Sequence, residues 1–473
     1  METVAQSLSI FERFNRWIQE SIMVKLVSIG FLILILLIPA SWIDDVIVER
    51  QQRATDVLYE VSSKWSGSQT LTGPILVIPY LKREVIDRGK EGKEVHEYVD
   101  KAFFLPEALN ISGTVDPTKL SRGMFDAVVY QSTLSIHAKF ESLDFKSLSI
   151  PEDMIIWKDA YMAMGITDVR GISDTIAFNV GMKLLEAEPA SNIGLGIERS
   201  PVEAANAYAS VMPAVAGPTS RNGIIVKLNA QNAGDITGDV SVKLNLKGSH
   251  RLDFVPIGKT TTVNLNGSWE DPSFDGEFLP VTREISENNF KASWKVLHFN
   301  RPFSQQWTGV DQQLTGSDFG LKLLLPVDQY QKSMRTSKYS VLIILLTFMA
   351  LFLVEITQKI RIHPFQYILI GAALTIYYIL LLSLSEHIGY NIAYGIASMA
   401  TVIMVSLYSI TFLKWRKLVL LFSTVLVIFY AFIFVIILQQ DLSLLLGSIG
   451  LFLIVGLLMY FSRQVNWYKE AVA

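Results

Sequence analysis

Glu386 and His387 are adjacent in a chain that has only six histidines and no His-x-x-x-His pair. A carboxylate beside an imidazole can do general acid–base work. It can also relay a proton or help to hold a divalent cation. The same two residues can equally form a polar cap on a helix end, with no chemistry at all. Asp44, Asp45, Glu49 and Arg50 make a second polar group, directly after the first long apolar run. Together with Glu386 and His387 they form the main candidate cluster. Glu355 and His363 form a secondary candidate, with Lys359 and Arg361 between them as expected ion-pair partners for Glu355. Arg170, Arg283 and Arg301 read either as partners for carboxylates or as cations for an anionic ligand.

Absences narrow the chemistry. No P-loop, HExxH, GxSxG or GxGxxG motif is present, so the sequence lends no support to an ATPase, a zincin, a serine hydrolase or a dinucleotide enzyme. The chain has no cysteine, which removes disulfides, thiolate metal sites and a cysteine nucleophile. A net charge of −3 offers no basic surface for nucleic acid. No cofactor and no metal site are expected.

The elements that position these residues follow from hydropathy. Hydrophobic residues make up 50% of the 473 and charged residues only 18%, against about 25% charged in soluble domains. A membrane-spanning helix needs ~20 mainly apolar residues. Six segments qualify: Lys25–Ile43, Tyr339–Ile356, Gln366–Ser385, Asn391–Leu413, Leu418–Leu438 and Leu442–Phe461. The first reads as a retained anchor, because Trp42-Ile43-Asp44 replaces a small-residue cleavage site. Lys and Arg fall in the N-terminal segment, in the loops after the second and fourth spans, and in the tail, whereas Glu386–Tyr390 and Gln439–Asp441 have none. Both termini are therefore expected in the cytoplasm, with residues 44–338 across the membrane. Residues 1–24 read as a cytoplasmic amphipathic segment, 339–461 as a five-helix bundle and 462–473 as a cytoplasmic tail. Along the third span, Glu386 lies at the outer end. Glu355 lies ~24 Å along the second span, near its inner end. The bundle shows no broken helices and no clear buried charge, which counts against a path for polar substrates.

Residues 44–338 alternate with period two. Leu134, Ile136, Ala138 and Phe140 share one face, as do Val240, Val242, Leu244 and Leu246. Val263 and Leu265, and then Phe290, Ala292, Trp294 and Val296, repeat the pattern. These read as half-buried antiparallel strands of a sandwich-like domain. Asp44–Trp65 is expected to continue the first helix, and Pro201–Ser210 is a further helical candidate. Leu134–Phe145 echoes Val242–Phe254, and Asp168–Asp174 echoes Val281–Glu287. Two related halves, or chance likeness between amphipathic strands, explain these echoes equally well.

Several short runs then become recognisable: Val46-Ile-Val-Glu-Arg50, Leu71-Thr-Gly-Pro-Ile-Leu-Val-Ile-Pro79, Asp168-Val-Arg-Gly-Ile172, Phe274-Asp-Gly-Glu-Phe-Leu-Pro280 and Phe299-Asn-Arg-Pro-Phe303. Pro326-Val-Asp-Gln-Tyr-Gln331, Leu346-Thr-Phe-Met-Ala350, Arg361-Ile-His-Pro364 and Leu384-Ser-Glu-His-Ile-Gly389 complete the set. In this order they resemble the CreD family of bacterial inner-membrane proteins. The resemblance implies a role in cell-envelope integrity, in a family often controlled by a two-component system that answers envelope stress. It implies no reaction. Three classes of function follow: an envelope or stress-response protein that works by interaction, a transporter or lipid-handling protein, and an envelope enzyme using Glu386 and His387. Expected partners are the lipid bilayer and, beyond it, envelope proteins or lipids, with no nucleic acid.

Overall fold

The computed structural model describes residues 22–87, 93–191, 193, 222–323, 328–439 and 443–463, without positions 124, 142, 310, 311, 313, 315, 359 and 414. The amphipathic segment before residue 22, the helix expected over Pro201–Ser210 and the end of the tail lie outside these residues. The chain divides into two compact units. One holds residues 1–53 and 326–473, and the other holds Ala54–Leu325.

The first unit is helical. Helix α1, Ile22–Trp65, runs unbroken for 44 residues with Pro39 inside it. At 1.5 Å per residue it is ~66 Å long, about twice the hydrocarbon thickness of a bilayer. Its second half carries Asp44, Asp45, Glu49, Arg50, Arg53 and Asp56, and so belongs to water. The helix stops at Trp65, before Ser66-Gly67-Ser68. Helix α2, Asp328–Lys338, precedes α3, Ser340–Thr357. Then come α4, Pro364–Ile388, α5, Tyr390–Ser409, α6, Arg416–Leu438, and α7, Ser443–Ser462. Among the described residues five helices, α1 and α3 to α6, are long and apolar enough to cross a membrane, and α7 supplies a shorter apolar run, Leu445–Leu457.

Local chemistry sets these boundaries. His363 caps α4, its Nδ1 accepting from the Phe365 N–H at 3.2 Å, and Pro364 occupies the first turn where no N–H is missed. Gly389 joins α4 to α5 with φ +77°, a conformation a side chain would strain. Gly371 lets α1 approach α4 closely, since a Cβ there would lie 2.2 Å from Leu36 Cδ1. On α5 the small residues Ala393 and Ala397 are buried, whereas Gly395 between them faces open space.

The second unit is built of two sheets. The first has nine strands, with Gln69–Asp87 central. Tyr161–Ile166, Lys93–Phe104 and Arg251–Phe254 pair with it. The second has eight, in the order Thr282–Ile285, Phe290–Leu297, Thr260–Gly267, Ala108–Arg122, Phe125–Phe140, Gly238–Ser249, Ala177–Val180 and Lys183–Glu186. The alternation read from sequence is what the strands bury: Leu134, Ile136, Ala138 and Phe140 are inside, as are Val240, Val242, Leu244 and Leu246. One contiguous core joins the sheets, with Trp294 of the second against Phe274 and Phe319 of the first at 5.5 and 5.8 Å between ring centres.

The expectation of a wholly antiparallel fold needs correction. Gln69–Leu71 runs parallel to Leu252–Phe254, and Ala108–Val115 runs parallel to Thr260–Gly267. Both pairs join segments far apart in sequence, where no hairpin dictates direction. Period-two alternation reports which face is buried and is blind to direction. Of the first echo, Leu134–Ile136 pairs antiparallel with Val242–Leu244 inside one sheet. Of the second echo, Val169–Gly171 is a 3₁₀ turn while Thr282–Ile285 is an exposed strand.

Candidate functional site

In the helical unit, Glu386 sits near the end of α4 and is half-buried. Its Oε1 accepts from the Tyr330 hydroxyl of α2 at 3.0 Å. Tyr330 is 1% exposed. Burial, and then the charge and hydrogen bond of Glu386, hold its hydroxyl well above the usual tyrosine range; Arg50 and Gln329 act in the opposite direction. Two elements thus meet at this point, α2 through Tyr330 and α4 through Glu386, and the charge of Arg50 on α1 acts on the tyrosine. His387 points outward and is exposed, as are Asp45 and Glu49. Asp44 is half-buried, and its Oδ1 makes no hydrogen bond among the described residues. Of the cluster expected from sequence, the structure bonds Glu386 to Tyr330, a tyrosine outside that cluster, with the charge of Arg50 acting on the same hydroxyl.

Glu355 lies in α3 and is 3% exposed. Its Oε1 accepts from Lys25 Nζ at 2.5 Å and from the Ile362 N–H at 3.1 Å, and its Oε2 accepts from the Tyr367 hydroxyl at 3.0 Å. The expected partners were Lys359 and Arg361. Lys359 lies outside the described residues, Arg361 is exposed, and the cation that Glu355 holds is Lys25, at the start of α1. His363 is exposed and serves as the α4 cap.

Between these two carboxylates the helices bury hydroxyls. Helix α3 carries Ser340, Thr347 and Glu355 on its buried side, spaced for one helical face. Helix α5 buries Tyr390, Tyr394, Ser398, Thr401 and Ser409. Tyr377, Tyr378, Tyr394 and Tyr430 form an aromatic cluster, the Tyr377 ring centre standing 4.8 Å from those of Tyr378 and Tyr430. The Tyr394 hydroxyl donates to the Tyr430 carbonyl at 2.8 Å, and Thr336 and Tyr390 share a hydrogen bond at 2.5 Å. The expectation that the bundle has no buried charge does not hold, because Glu355 is 3% exposed.

The family of the chain is decided by two matches. The profile of the family described as "Inner membrane protein CreD" matches residues 21–468. "Inner membrane protein CreD" of Escherichia coli (strain K12) is 31% identical over 449 residues, covering 94% of this chain and 93% of that protein. The chain belongs to the CreD family. It is accordingly an inner-membrane protein.

Within this CreD-family fold, the β-rich unit holds three further sites of interest. Arg170 pairs with Asp168 at 2.7 Å and donates to the Ser63 carbonyl at 2.8 Å. Burial disfavours the Asp168 charge, but the bonds from Arg170 and from the Gly67 and Arg170 N–H groups outweigh it and hold the acid at about 2. Arg301 is buried, and it donates to the Ile257 and Phe303 carbonyls and to Gln305 Oε1, so it ties its own loop to the loop at Ile257. Burial alone pulls it down to about 10. Arg283 is exposed. The wet face of the second sheet forms a groove of about 600 Å³, lined by Ser112, Thr114, Thr133, Ser135, Asn264 and Ser293 among others. Among the described residues no group of three or more His, Asp or Glu stands close enough to hold a metal ion.

Tyr330 was within reach of sequence reasoning. Tyr330, Ser333, Thr336, Ser337 and Ser340 recur at three- and four-residue spacing before the second span, a polar version of the periodicity that marks a buried helix face. The tyrosines were hidden by hydropathy, which scores them with the apolar residues.

Proposed function

We propose that the protein supports cell-envelope integrity by interaction rather than by catalysis, as an inner-membrane protein with six spans. In this reading both termini are cytoplasmic, residues 44–338 lie in the periplasm, and α7 is the sixth span. Membership of the CreD family, the lysine and arginine distribution of the loops and the size of the β-rich unit support it. The single observation that carries it is the bond from Tyr330 to Glu386. The β-rich unit is spliced between α1 and α2, and α2 is fastened to α4 by that bond. Whatever engages the β-rich unit, at the hydroxyl-lined groove for example, then acts on a chain segment bound into the bundle. The exposed His387 gives the enzyme reading little to build on, because it has no described hydrogen bond to Glu386.

Two measurements test this. Reporter fusions at Ser200 and Trp415 should be active only as periplasmic and cytoplasmic reporters respectively. Cytoplasmic reporter activity at Ser200 would overturn the topology. In a deletion strain scored for detergent sensitivity, His387→Ala should restore the wild-type level. Glu386→Ala should restore it only in part, since a hydrogen bond to a charged group contributes about 1.5–3 kcal/mol. If His387→Ala is expressed normally and rescues nothing, the interaction reading gives way to an enzyme.

A further inference from the structure

The bundle contains hydroxyls that its own side chains do not satisfy. Among the described residues, Ser333 and Ser337 of α2, Thr347 of α3, Tyr378 of α4 and Tyr430 of α6 each bury a hydroxyl oxygen with no hydrogen-bond partner. A buried polar atom without a partner is uncommon in folded proteins, and one that looks so is usually served by water. Scattered cases would mean little, but these are not scattered. Thr347 lies on α3 with Glu355, Tyr378 on α4 with Glu386, Ser333 and Ser337 on α2 with Tyr330, and Tyr430 on α6. A seam of this kind between two membrane carboxylates is where transporters and pumps place their proton relays.

The geometry also gives the seam a direction and two ends. Tyr367, which bonds Glu355, and Glu386 are both on α4, ~28 Å apart along its axis at 1.5 Å per residue, close to the ~30 Å of a hydrocarbon core. Each carboxylate is held by a tyrosine hydroxyl, Glu386 by Tyr330 and Glu355 by Tyr367, both at 3.0 Å. The charged groups facing them are Arg50 near Tyr330 at one end and Lys25 on Glu355 at the other. Between the ends stand Thr336 with Tyr390, Tyr394 with Tyr430, and Ser398 with Tyr377 at 3.5 Å. The direct bonds come in segments rather than one chain; the unpartnered oxygens of Tyr378 and Tyr430 lie in α4 and α6, which carry such segments, and that of Thr347 lies in α3 with Glu355.

We propose that the interior of the helical unit is a hydrated proton path between Glu386 and Glu355. This goes beyond the envelope role and stands or falls independently of it. The step balances without a co-reactant. A proton added to one carboxylate is passed on as each hydroxyl or water accepts one proton and releases its own to the next, until the other carboxylate takes up a proton and gives it to water. One charge crosses, and no bond other than O–H is made or broken. Tyrosine suits this role because its hydroxyl both donates and accepts while the ring fills space between helices.

Two readouts on the full chain test the path. In lipid nanodiscs, hydroxyl-radical footprinting should oxidise Tyr378 and Tyr430 severalfold faster than Tyr130, whose buried hydroxyl donates to the Arg251 carbonyl. In liposomes holding a pH-sensitive dye, with a potassium diffusion potential, the protein should move protons severalfold faster than protein-free liposomes. Tyr430→Phe, Glu355→Gln and Glu386→Gln should each return the rate to the protein-free level. Thr424→Val, on the exposed side of α6, should leave it unchanged. Tyr430→Phe keeps the packing, so the test survives a Glu355 variant that fails to fold. Labelling of Tyr378 and Tyr430 no faster than that of Tyr130 overturns the proposal. Fast labelling without proton flux also overturns it, since it would mean a closed water pocket. Wild-type flux that all three variants share overturns it as well.

Discussion

Lys25→Met should destabilise the helical unit by about 3–5 kcal/mol, the range observed when one partner of a buried ion pair is removed. Lys25 Nζ reaches Glu355 Oε1 at 2.5 Å, and the carboxylate is 3% exposed. With the ammonium gone, Glu355 keeps two donors, the Ile362 N–H and the Tyr367 hydroxyl, but has no described counter-charge. Two hydrogen bonds do not offset a buried charge at this depth, so the helical unit loses stability. An opposing effect has to be weighed. Hydrogen bonds between membrane helices contribute about 0.6 kcal/mol on average, because the alternatives in lipid are also satisfied. That figure concerns neutral partners, and the charge term is the larger here. The double variant Lys25→Met with Glu355→Gln carries no charge to strand; the Gln oxygen can still accept from the Ile362 N–H, while its NH2 can donate to the Tyr367 hydroxyl oxygen. It should be markedly more stable than Lys25→Met alone. Unfolding of the full chain in detergent, followed by helical circular dichroism, measures all three proteins. A single variant within about 0.5 kcal/mol of wild type, the usual range for surface changes, would show that the ion pair contributes nothing.

The same pair shows where sequence reading ends. Lys25 and Glu355 are separated by 330 positions, and no local pattern links them. Proximity in sequence points to the near neighbours Lys359 and Arg361 instead. The strands behaved differently, because a half-buried strand writes its environment into every second residue. Phe290, Ala292, Trp294 and Val296 are buried, and Lys291 and Lys295 are exposed, as alternation requires. The long α1 was legible for a related reason: its apolar run is followed at once by a polar helix-forming stretch, with Gly67 marking the stop. Strand direction left no such trace, so the parallel pairs were missed. The tyrosines of α4, α5 and α6 were missed because a scale that averages a residue to one number cannot separate a ring that seeks apolar neighbours from a hydroxyl that needs a partner. Which helix face those hydroxyls share emerges only once the helices are packed.

A second large effect is expected in the β-rich unit, and it depends on pH. His250 sits in the turn between Gly238–Ser249 and Arg251–Phe254 with φ +62°, a left-handed conformation that a non-glycine residue rarely adopts. Its Nε2 is 3.0 Å from Ser62 Oγ, which ties the end of α1 to this turn. Burial, and then the charge of Lys322, push the imidazole down from 6.5 to about 4. The folded state therefore binds a proton less readily than the unfolded chain. The stability contributed by the neutral ring is complete above about pH 6.5, and it is lost as pH falls towards 4, reaching about 3 kcal/mol at 1.36 kcal/mol per pH unit. Below pH 4 both states carry the charge and this dependence ends. Asp168 acts later, its contribution being present above 3.8 and lost only as pH falls through about 2. The two groups therefore occupy separate windows. His250→Asn isolates the first, because asparagine tolerates the left-handed turn and does not titrate. At pH 7.5 the variant should be less stable than wild type by about 1 kcal/mol, the net worth of one hydrogen bond. Between pH 6.5 and 4 its stability should fall less steeply, so that near pH 4 it overtakes the parent. Urea unfolding followed by tryptophan fluorescence reads this unit, since Trp269, Trp294 and Trp307 are all buried in it. Parallel pH profiles for the two proteins would mean that His250 is solvated or already paired in its charged form, and that the tie to Ser62 does not depend on a neutral ring.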